Sequence, residues 1–238
     1  MKYAEMHCHT FYSDKGKTLI ESLMTPEGLL KTAKNKGLDA VAITDHNTLE
    51  GNLVAAEKSK DYGIVIIPAM EIDTQEGTQI LAYGGNLNNV RPFEPAEVVI
   101  KQIHDNGGVA IIAHPFINFF RVGAKNLNRL ILFVDGLEVF NCHFFVNNGK
   151  ASAYANAHKI RLMTGGSDAH HRALIGNVVL GFPDSCQTAD DFISSLKKGD
   201  FSLVHRVPRA KAIFLEIITF FYTQIVGFTK RFMGRNNI

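Results

Sequence analysis

The sequence predicts an α/β fold with a mostly parallel sheet, and three observations predict it. Short apolar runs alternate with helical stretches about seven times along 238 residues. The runs are nearly continuous in Val, Ile, Leu and Ala, as strands are when both faces of a sheet are covered. Residues able to bind metal stand at the ends of these runs, where α/β folds place their chemistry. Composition agrees: 46% hydrophobic and 20% charged residues imply a folded core rather than disorder.

Taken in order, the first strand is Tyr3-Ala4-Glu5-Met6-His7-Cys8-His9. Residues two apart in a strand share a face, so His7 and His9 aim at one site. A polar loop, Thr10 to Lys17, follows. Thr25 caps a helix that Pro26 opens and Gly37 ends. Asp39 to Thr44 is a short buried strand delivering Asp45-His46, and a helix runs from Leu49 to Tyr62, stopped by Gly63. Ile64 to Met70 is the next strand, ending at Glu71, and Gln79 to Tyr83 is another. Pro95 opens a helix that Gly107-Gly108 breaks. Val109 to Ala113 stops at His114-Pro115, and Gly136 to Phe140 ends at Asn141. A helix near Lys150 to His158 precedes the strand Arg161 to Thr164, and Gly165-Gly166-Ser167-Asp168-Ala169-His170 follows it. Val178 to Phe182 is a last apolar run before a helix from Ala189 to Lys198.

The metal-ligand candidates are His7, His9, Asp14, His46, Glu71, His114, Asp168 and His170. Imidazoles with carboxylates suit Zn²⁺, Mn²⁺ or Fe²⁺. One tetrahedral ion needs about four ligands, so this set suits two or three divalent ions. A single histidine is usually a surface or satisfied core residue; it is the repeated strand-end placement that carries the reading. His104, His158 and His205 lack that placement and read as structural or surface groups, while His143 and His171 lie in loops on the same face.

At these positions the chain resembles the PHP family, named for polymerase and histidinol phosphatase. The matching motifs are His7-Cys8-His9 with Tyr12-Ser13-Asp14, Ile43-Thr44-Asp45-His46, Met70-Glu71-Ile72, Ala113-His114-Pro115 and Gly166-Ser167-Asp168-Ala169-His170. The resemblance covers residues 1 to about 183. It implies a distorted seven-stranded β/α barrel, (β/α)7, with a trinuclear site. By carry-over, His7, His9, Glu71 and Asp168 hold one ion, Glu71 and His114 a second with Glu71 bridging, and Asp14, His46 and His170 a third. Asp45 is implied to orient a loop or a neighbouring imidazole. Many relatives that hydrolyse nucleotide phosphates carry His where this chain has Gln79, and a long insertion between the Glu71 and His114 motifs that here is a helical connection. Both differences leave the substrate open.

The expected activity is metal-dependent phosphoester hydrolysis of a small phosphorylated molecule, a nucleotide or a phosphorylated metabolite. Clustered ions neutralise phosphoryl oxygens and lower the pKa of a bridging water. His170 or His171 can protonate the leaving alkoxide. Arg121 and Arg172 are the candidate phosphate clamps, with Lys15 and Lys17 as weaker ones. Phe116, Phe119, Phe120, Phe144 and Phe145 line an apolar pocket, stack on a base or, as is more usual, pack loops onto the barrel. Two alternatives stay open: an amide-type metal-dependent hydrolase, and a non-catalytic metal-binding regulatory module localised by its tail.

Net charge is +2, from which no dedicated nucleic-acid binding is expected. The three cysteines form no paired motif, and no signal peptide is seen, so a cytoplasmic setting is expected. The sequence divides into a phosphoesterase barrel, residues 1–208, and a basic-flanked C-terminal helix, residues 209–238. Within that tail Ala212 to Phe228 is strongly apolar, at the lower limit of a membrane span. Glu216, Thr219, Thr223 and Gly227, extended by Lys230, form one narrow polar stripe. This suits a helix lying at a membrane surface, at the periphery of the bilayer, or one packed on a protein partner or the barrel base.

Overall fold

The computed structural model describes residues 1–14, 22–117, 126–207 and 209–235, with the backbone alone at 14, 209, 212 and 227–235. The first half contains β1 (Lys2–Cys8), α1 (Pro26–Asn35), β2 (Ala40–Ile43), α2 (Glu50–Tyr62), β3 (Val65–Ile67), β4 (Ala69–Asp73), β5 (Gln79–Tyr83) and α3 (Ala96–Asp105). The second half contains β6 (Val109–Ile112), α4 (Leu127–Leu130), β7 (Gly136–Asn141), α5 (Asn148–Ala157), β8 (Leu162–Gly166), β9 (Val178–Phe182), α6 (Ala189–Lys198), β10 (Ser202–His205) and α7 (Arg209–Arg235).

Helix boundaries follow local chemistry. The Thr25 hydroxyl accepts from Gly28 N–H, with Pro26 in the first turn of α1. Gly63 closes α2 at φ 65°, in the left-handed region that glycine enters without strain. Thr188 and Asp191 form a reciprocal capping box at the start of α6.

The strands form two five-stranded sheets, ordered β10-β9-β1-β2-β3 and β4-β5-β6-β7-β8. Parallel pairing joins β1 to β2, β2 to β3, β6 to β7 and β7 to β8. The other four pairs, β1–β9, β9–β10, β4–β5 and β5–β6, are antiparallel. The sheets are thus mixed, where a mostly parallel sheet was expected, and their pairing does not form one closed seven-stranded ring. Two features explain the difference. The apolar run read as a single strand is split at Pro68, which has no N–H for a ladder, so β3 and β4 belong to different sheets. The β5 and β9 strands run against their neighbours, and β10, half-buried and unpredicted, adds an edge. Isolated bridges at Cys8–Ala169 and His46–Glu71 connect the sheets at their ligand-bearing ends.

Met6, Ala42, Ile67, Leu81, Tyr83, Ile111 and Leu180 fill one core cluster shared by both sheets. Across it the Tyr83 hydroxyl donates to the Met6 carbonyl at 2.8 Å. Small residues on β1 and β2 (Ala4, Ala40, Ala42) leave room for the large ones opposite.

The C-terminal helix differs most from expectation. Glu216, Thr219 and Thr223 turn toward the protein, and Thr223 is only 2% exposed. Phe214, Phe221 and Ile225 turn outward at 62–65% exposure. Leu215 packs on the cluster that holds Cys8 and Leu29, so α7 lies over the ligand-bearing face and not the barrel base. The polar stripe, expected to face water if the helix lies at a membrane surface, packs on protein instead. No helix among the described residues is long and apolar enough to cross a membrane. The Lys230 side chain lies outside the described residues.

Candidate metal centre

The strands deliver the predicted residues to one place by irregular means. On β1, Ala4 and Met6 face the core shared by the two sheets, and strict alternation would send Cys8 there too. Instead, β1 pairs Glu5 with Val41 but Cys8 with Ile43, one residue more than its partner uses. This bulge turns Cys8 toward the α1 side and brings His7 and His9 into the site. His114 at φ 24° and Asp168 at φ 49° occupy the positive-φ region that non-glycine residues rarely enter.

Seven of the eight predicted ligands converge. Three groups have ligand atoms close enough to share an ion: His7, His9 and Glu71; His7, His114 and Asp168; His9, His46 and His170. Ligand atoms at about 2.1 Å from a tetrahedral ion stand about 3.4 Å apart. Glu71 Oε2 lies 3.4 Å from His7 Nε2, 3.3 Å from His9 Nε2 and 3.4 Å from His46 Nε2. Asp168 Oδ1 lies 3.4 Å from His7 Nε2 and 3.2 Å from His9 Nε2. His9 Nε2 and His114 Nδ1 are buried with no hydrogen-bond partner among the described residues. An unpartnered buried nitrogen is costly unless something else satisfies it. The donor set therefore fits divalent cations. The side chain of Asp14 lies outside the described residues, so the eighth ligand is not placed.

Hydrogen bonds behind the ligands set which nitrogen faces inward. Ser13 Oγ donates to Asp45 Oδ1 at 3.0 Å and accepts from His9 Nδ1 at 3.1 Å, leaving the His9 Nε2 lone pair for the site. Asp45 also takes the Thr10 N–H and hydroxyl, both at 2.6 Å, and so orients both a loop and an imidazole. His170 Nδ1 donates to the Asp168 carbonyl at 3.0 Å. Gln79 donates to Asp73 Oδ1 at 3.0 Å and stands 3.4 Å from His46 Nδ1, so it lies behind one ligand, His46.

Two buried glutamates escaped the sequence reading. Glu138 accepts from His7 Nδ1 at 2.9 Å, His114 N–H at 2.9 Å and Asn141 Nδ2 at 2.9 Å. Glu5 accepts the backbone N–H groups of His7, Ser167 and Gly176. Each is a lone carboxylate inside an apolar strand, and that was the available signal.

Burial opposes charge throughout the cluster. At His9 it prevails, and with the neighbouring His170 it lowers the pKa well below the usual value. At Glu71 burial is overcome by His46, His7 and His114, and at Asp168 by His7, His9 and His170, so both carboxyls stay well below the usual range. His9 and the two carboxylates are thus in the state that binds metal, whereas Asp168, Glu138 and Glu71 raise His7, and Glu71 raises His114, so these two imidazoles give up a proton when an ion takes its place.

The phosphate-side candidates are less gathered. His171 accepts the Ala173 N–H on Nδ1 at 3.2 Å, which leaves its proton on Nε2 at the rim of the site. Arg172 is exposed and lines an adjoining cleft with His171, Met24 and Tyr222. Arg121, Lys15, Lys17, Phe119 and Phe120 lie outside the described residues. Phe116 packs edge-on against Tyr154, and Phe144 stacks on His143. His104 pairs with Asp135, His158 stacks on Tyr154 and His205 meets Phe140, the structural placements expected of them.

A family model for the PHP domain matches residues 5–203. Uncharacterized protein MJ1587 of Methanocaldococcus jannaschii is 36% identical over 152 residues, 61% of this chain and 86% of that protein. Among solved structures, PsfC of Pseudomonas syringae PB-5123 is similar at TM-score 0.71 and 20% identity, covering 94% of this chain and 98% of that one. A two-domain protein of Bacteroides vulgatus, containing a predicted PHP-like metal-dependent phosphoesterase, matches at TM-score 0.67 and 16% identity, over 86% of this chain and 64% of that one. Endonuclease Q, in complex with a 27-mer duplex substrate bearing an abasic lesion, matches at TM-score 0.59 and 16% identity, over 83% and 56%. That complex corrects the expectation of no dedicated nucleic-acid binding. A protein sharing this fold holds duplex nucleic acid, so a near-neutral charge does not exclude such a ligand.

Proposed function

The chain belongs to the PHP domain family and is a metal-dependent hydrolase, and from that premise we propose that it hydrolyses phosphate esters. The observation that carries this reading is the convergence of His7, His9, His46, Glu71 and Asp168, with ligand atoms 3.2–3.4 Å apart. We assign His7, His9, Glu71 and Asp168 to one ion, Glu71 and His114 to a second, and Asp14, His46 and His170 to a third, as Zn²⁺, Mn²⁺ or Fe²⁺. Bound divalent ions there supply phosphoryl charge neutralisation and water of lowered pKa. The chain's own residues do the rest. Asp45 and Ser13 hold His9 in the tautomer that points Nε2 inward, and Glu138 does the same for His7. His171, with its proton on Nε2, is the group assigned to protonate the leaving alkoxide. His170, whose Nδ1 proton goes to the Asp168 carbonyl and whose Nε2 is given to the third ion, is kept as a ligand and not as an acid. Arg172 and Arg121 are assigned to the phosphate oxygens.

The first substrate reading is a small phosphorylated molecule, a nucleotide or a metabolite. Endonuclease Q favours a second, a phosphoester within nucleic acid. Three free, buried cysteines suit a reducing, cytoplasmic setting. Residues 1–208 are taken as the catalytic unit, a distorted barrel, and 209–238 as an appended helix.

Metal content by elemental analysis, with turnover on phosphorylated metabolites, 5′-phosphorylated oligonucleotides and an abasic duplex, tests the proposal. The expected result is about two or three ions per chain and phosphate-ester turnover that His9→Ala or Asp168→Ala lowers at least about a hundredfold. Bound metal without phosphate-ester cleavage moves the assignment to amide hydrolysis. No stoichiometric metal after Mn²⁺ or Zn²⁺ is supplied overturns the enzymatic reading.

A further inference from the structure

An amphipathic helix normally buries its apolar face. In α7 the arrangement is reversed. Thr219 and Thr223 are 8% and 2% exposed, while Phe214, Phe221 and Ile225 stand out at 62–65%. Half a turn about the helix axis would bury more apolar surface, so the orientation is set by what lies beneath, where three histidines stand beside Leu174.

Beneath α7 is a cavity of about 180 Å³. His143, His170 and His171 wall it from the side of the metal centre; Glu216, Thr219 and Thr223 wall it from α7. Glu216 fixes the helix there: its Oε2 accepts the Phe144 N–H at 2.7 Å, and its Oε1 stands 3.3 Å from His143 Nε2. His143 Nδ1 accepts the Phe145 N–H at 3.3 Å, which leaves the Nε2 proton for Glu216. All of α7 lies beyond residue 203, where the family match ends.

We propose that α7 is one wall of a substrate pocket opening onto the metal centre, in which Glu216, Thr219 and Thr223 hold the hydroxyl-bearing organic part of a phosphate monoester. The proposal rests on the phosphoesterase reading above and names its substrate class. His170 belongs both to the predicted ligand set and to the cavity wall, so a phosphate at the ligands projects its organic group into this space. The lining chooses the chemistry. Among the lining residues there is no lysine or arginine to take a second anionic group. Imidazoles, two threonine hydroxyls and a carboxyl are left. The Thr219 hydroxyl already donates to the Glu216 carbonyl and both Glu216 oxygens already face donors, so a ligand hydroxyl enters as a donor to their remaining lone pairs. Leu174 and Phe220 cover the carbon skeleton.

The test is calorimetric binding to the metal-loaded full chain of 3,4-dihydroxybutylphosphonate and n-butylphosphonate, whose C–P bonds resist hydrolysis. Two well-placed hydroxyls should make the diol bind at least about tenfold tighter. Glu216→Ala should reduce that ratio below about threefold. So should Thr223→Val, which keeps shape and removes only a hydroxyl, and so answers for any loss of folding in the first variant. Equal affinities in the wild type, or a preference that survives both substitutions, overturn the pocket. If inorganic phosphate and both phosphonates all fail to bind, the phosphoesterase reading falls, and the pocket with it. Phosphate binding without discrimination overturns the pocket alone.

Discussion

A methyl group at Gly166 would stand 2.3 Å from His7 Cβ and 3.0 Å from its amide nitrogen. Neither atom can retreat: His7 is fully buried and held by Glu138 and Glu5. Gly166→Ala should therefore cost about 1–3 kcal/mol of overpacking and displace an imidazole shared by two ligand groups. Urea denaturation and elemental analysis on one sample check this; wild-type metal content in the variant would refute it. At this scale seven of the eight candidate ligands were legible as residues the fold brings together, because histidines and carboxylates at the ends of apolar runs stand out. The residues that orient them were not. Glu138 and Glu5 look like isolated strand carboxylates until the fold puts His7 against both. Which nitrogen of His9 faces inward depends on Ser13 and Asp45, some thirty positions apart in the chain.

The element whose behaviour the structure changes most is α7. Burial, with the Asp168 charge adding to it, pushes Glu216 from the ordinary 4.5 up to about 8, against the pull of the Phe144 N–H. A folded-state pKa above the unfolded one stabilises docking fully below the lower value, and that stability is lost as pH rises through the upper one. Burial lowers His143 to about 4, which works in the opposite sense between about pH 4 and its ordinary 6.5. The two effects oppose each other below 6.5, and above it the Glu216 effect remains. His170, His171 and Asp168 are the other titratable groups facing this contact. Hydrogen-exchange protection of α7, corrected for intrinsic rates, should therefore fall between about pH 6.5 and 8. Protection that stays level or rises over that range would contradict the assignment. The stripe of Glu216, Thr219 and Thr223 was visible in the sequence, but its direction was not. Periodicity identifies a polar face, and only the surface beneath decides whether water or protein meets it.

Across the whole molecule the candidate ligands tie two sheets together. His7 belongs to the sheet built on β1, and Glu71 to the sheet that begins with β4. An ion held between them should act as a cross-sheet clamp. At a hundredfold excess over its dissociation constant, metal should add about 2.7 kcal/mol, raising Tm by about 5–10 °C. Scanning calorimetry with and without a chelator reads this, and an unchanged Tm would refute the clamp. The sequence by itself determined the α/β class, most helix limits and which side chains could hold metal. Each of these depends on neighbours a few positions away, through caps, breakers and apolar periodicity. Only the tertiary structure decided that Pro68 divides an apolar run between two sheets and that β5 and β9 run antiparallel. It also decided that a bulge in β1 turns His7 and His9 inward and that α7 covers the site with its polar face. These depend on strand partners and on surfaces that meet only when distant segments pack together.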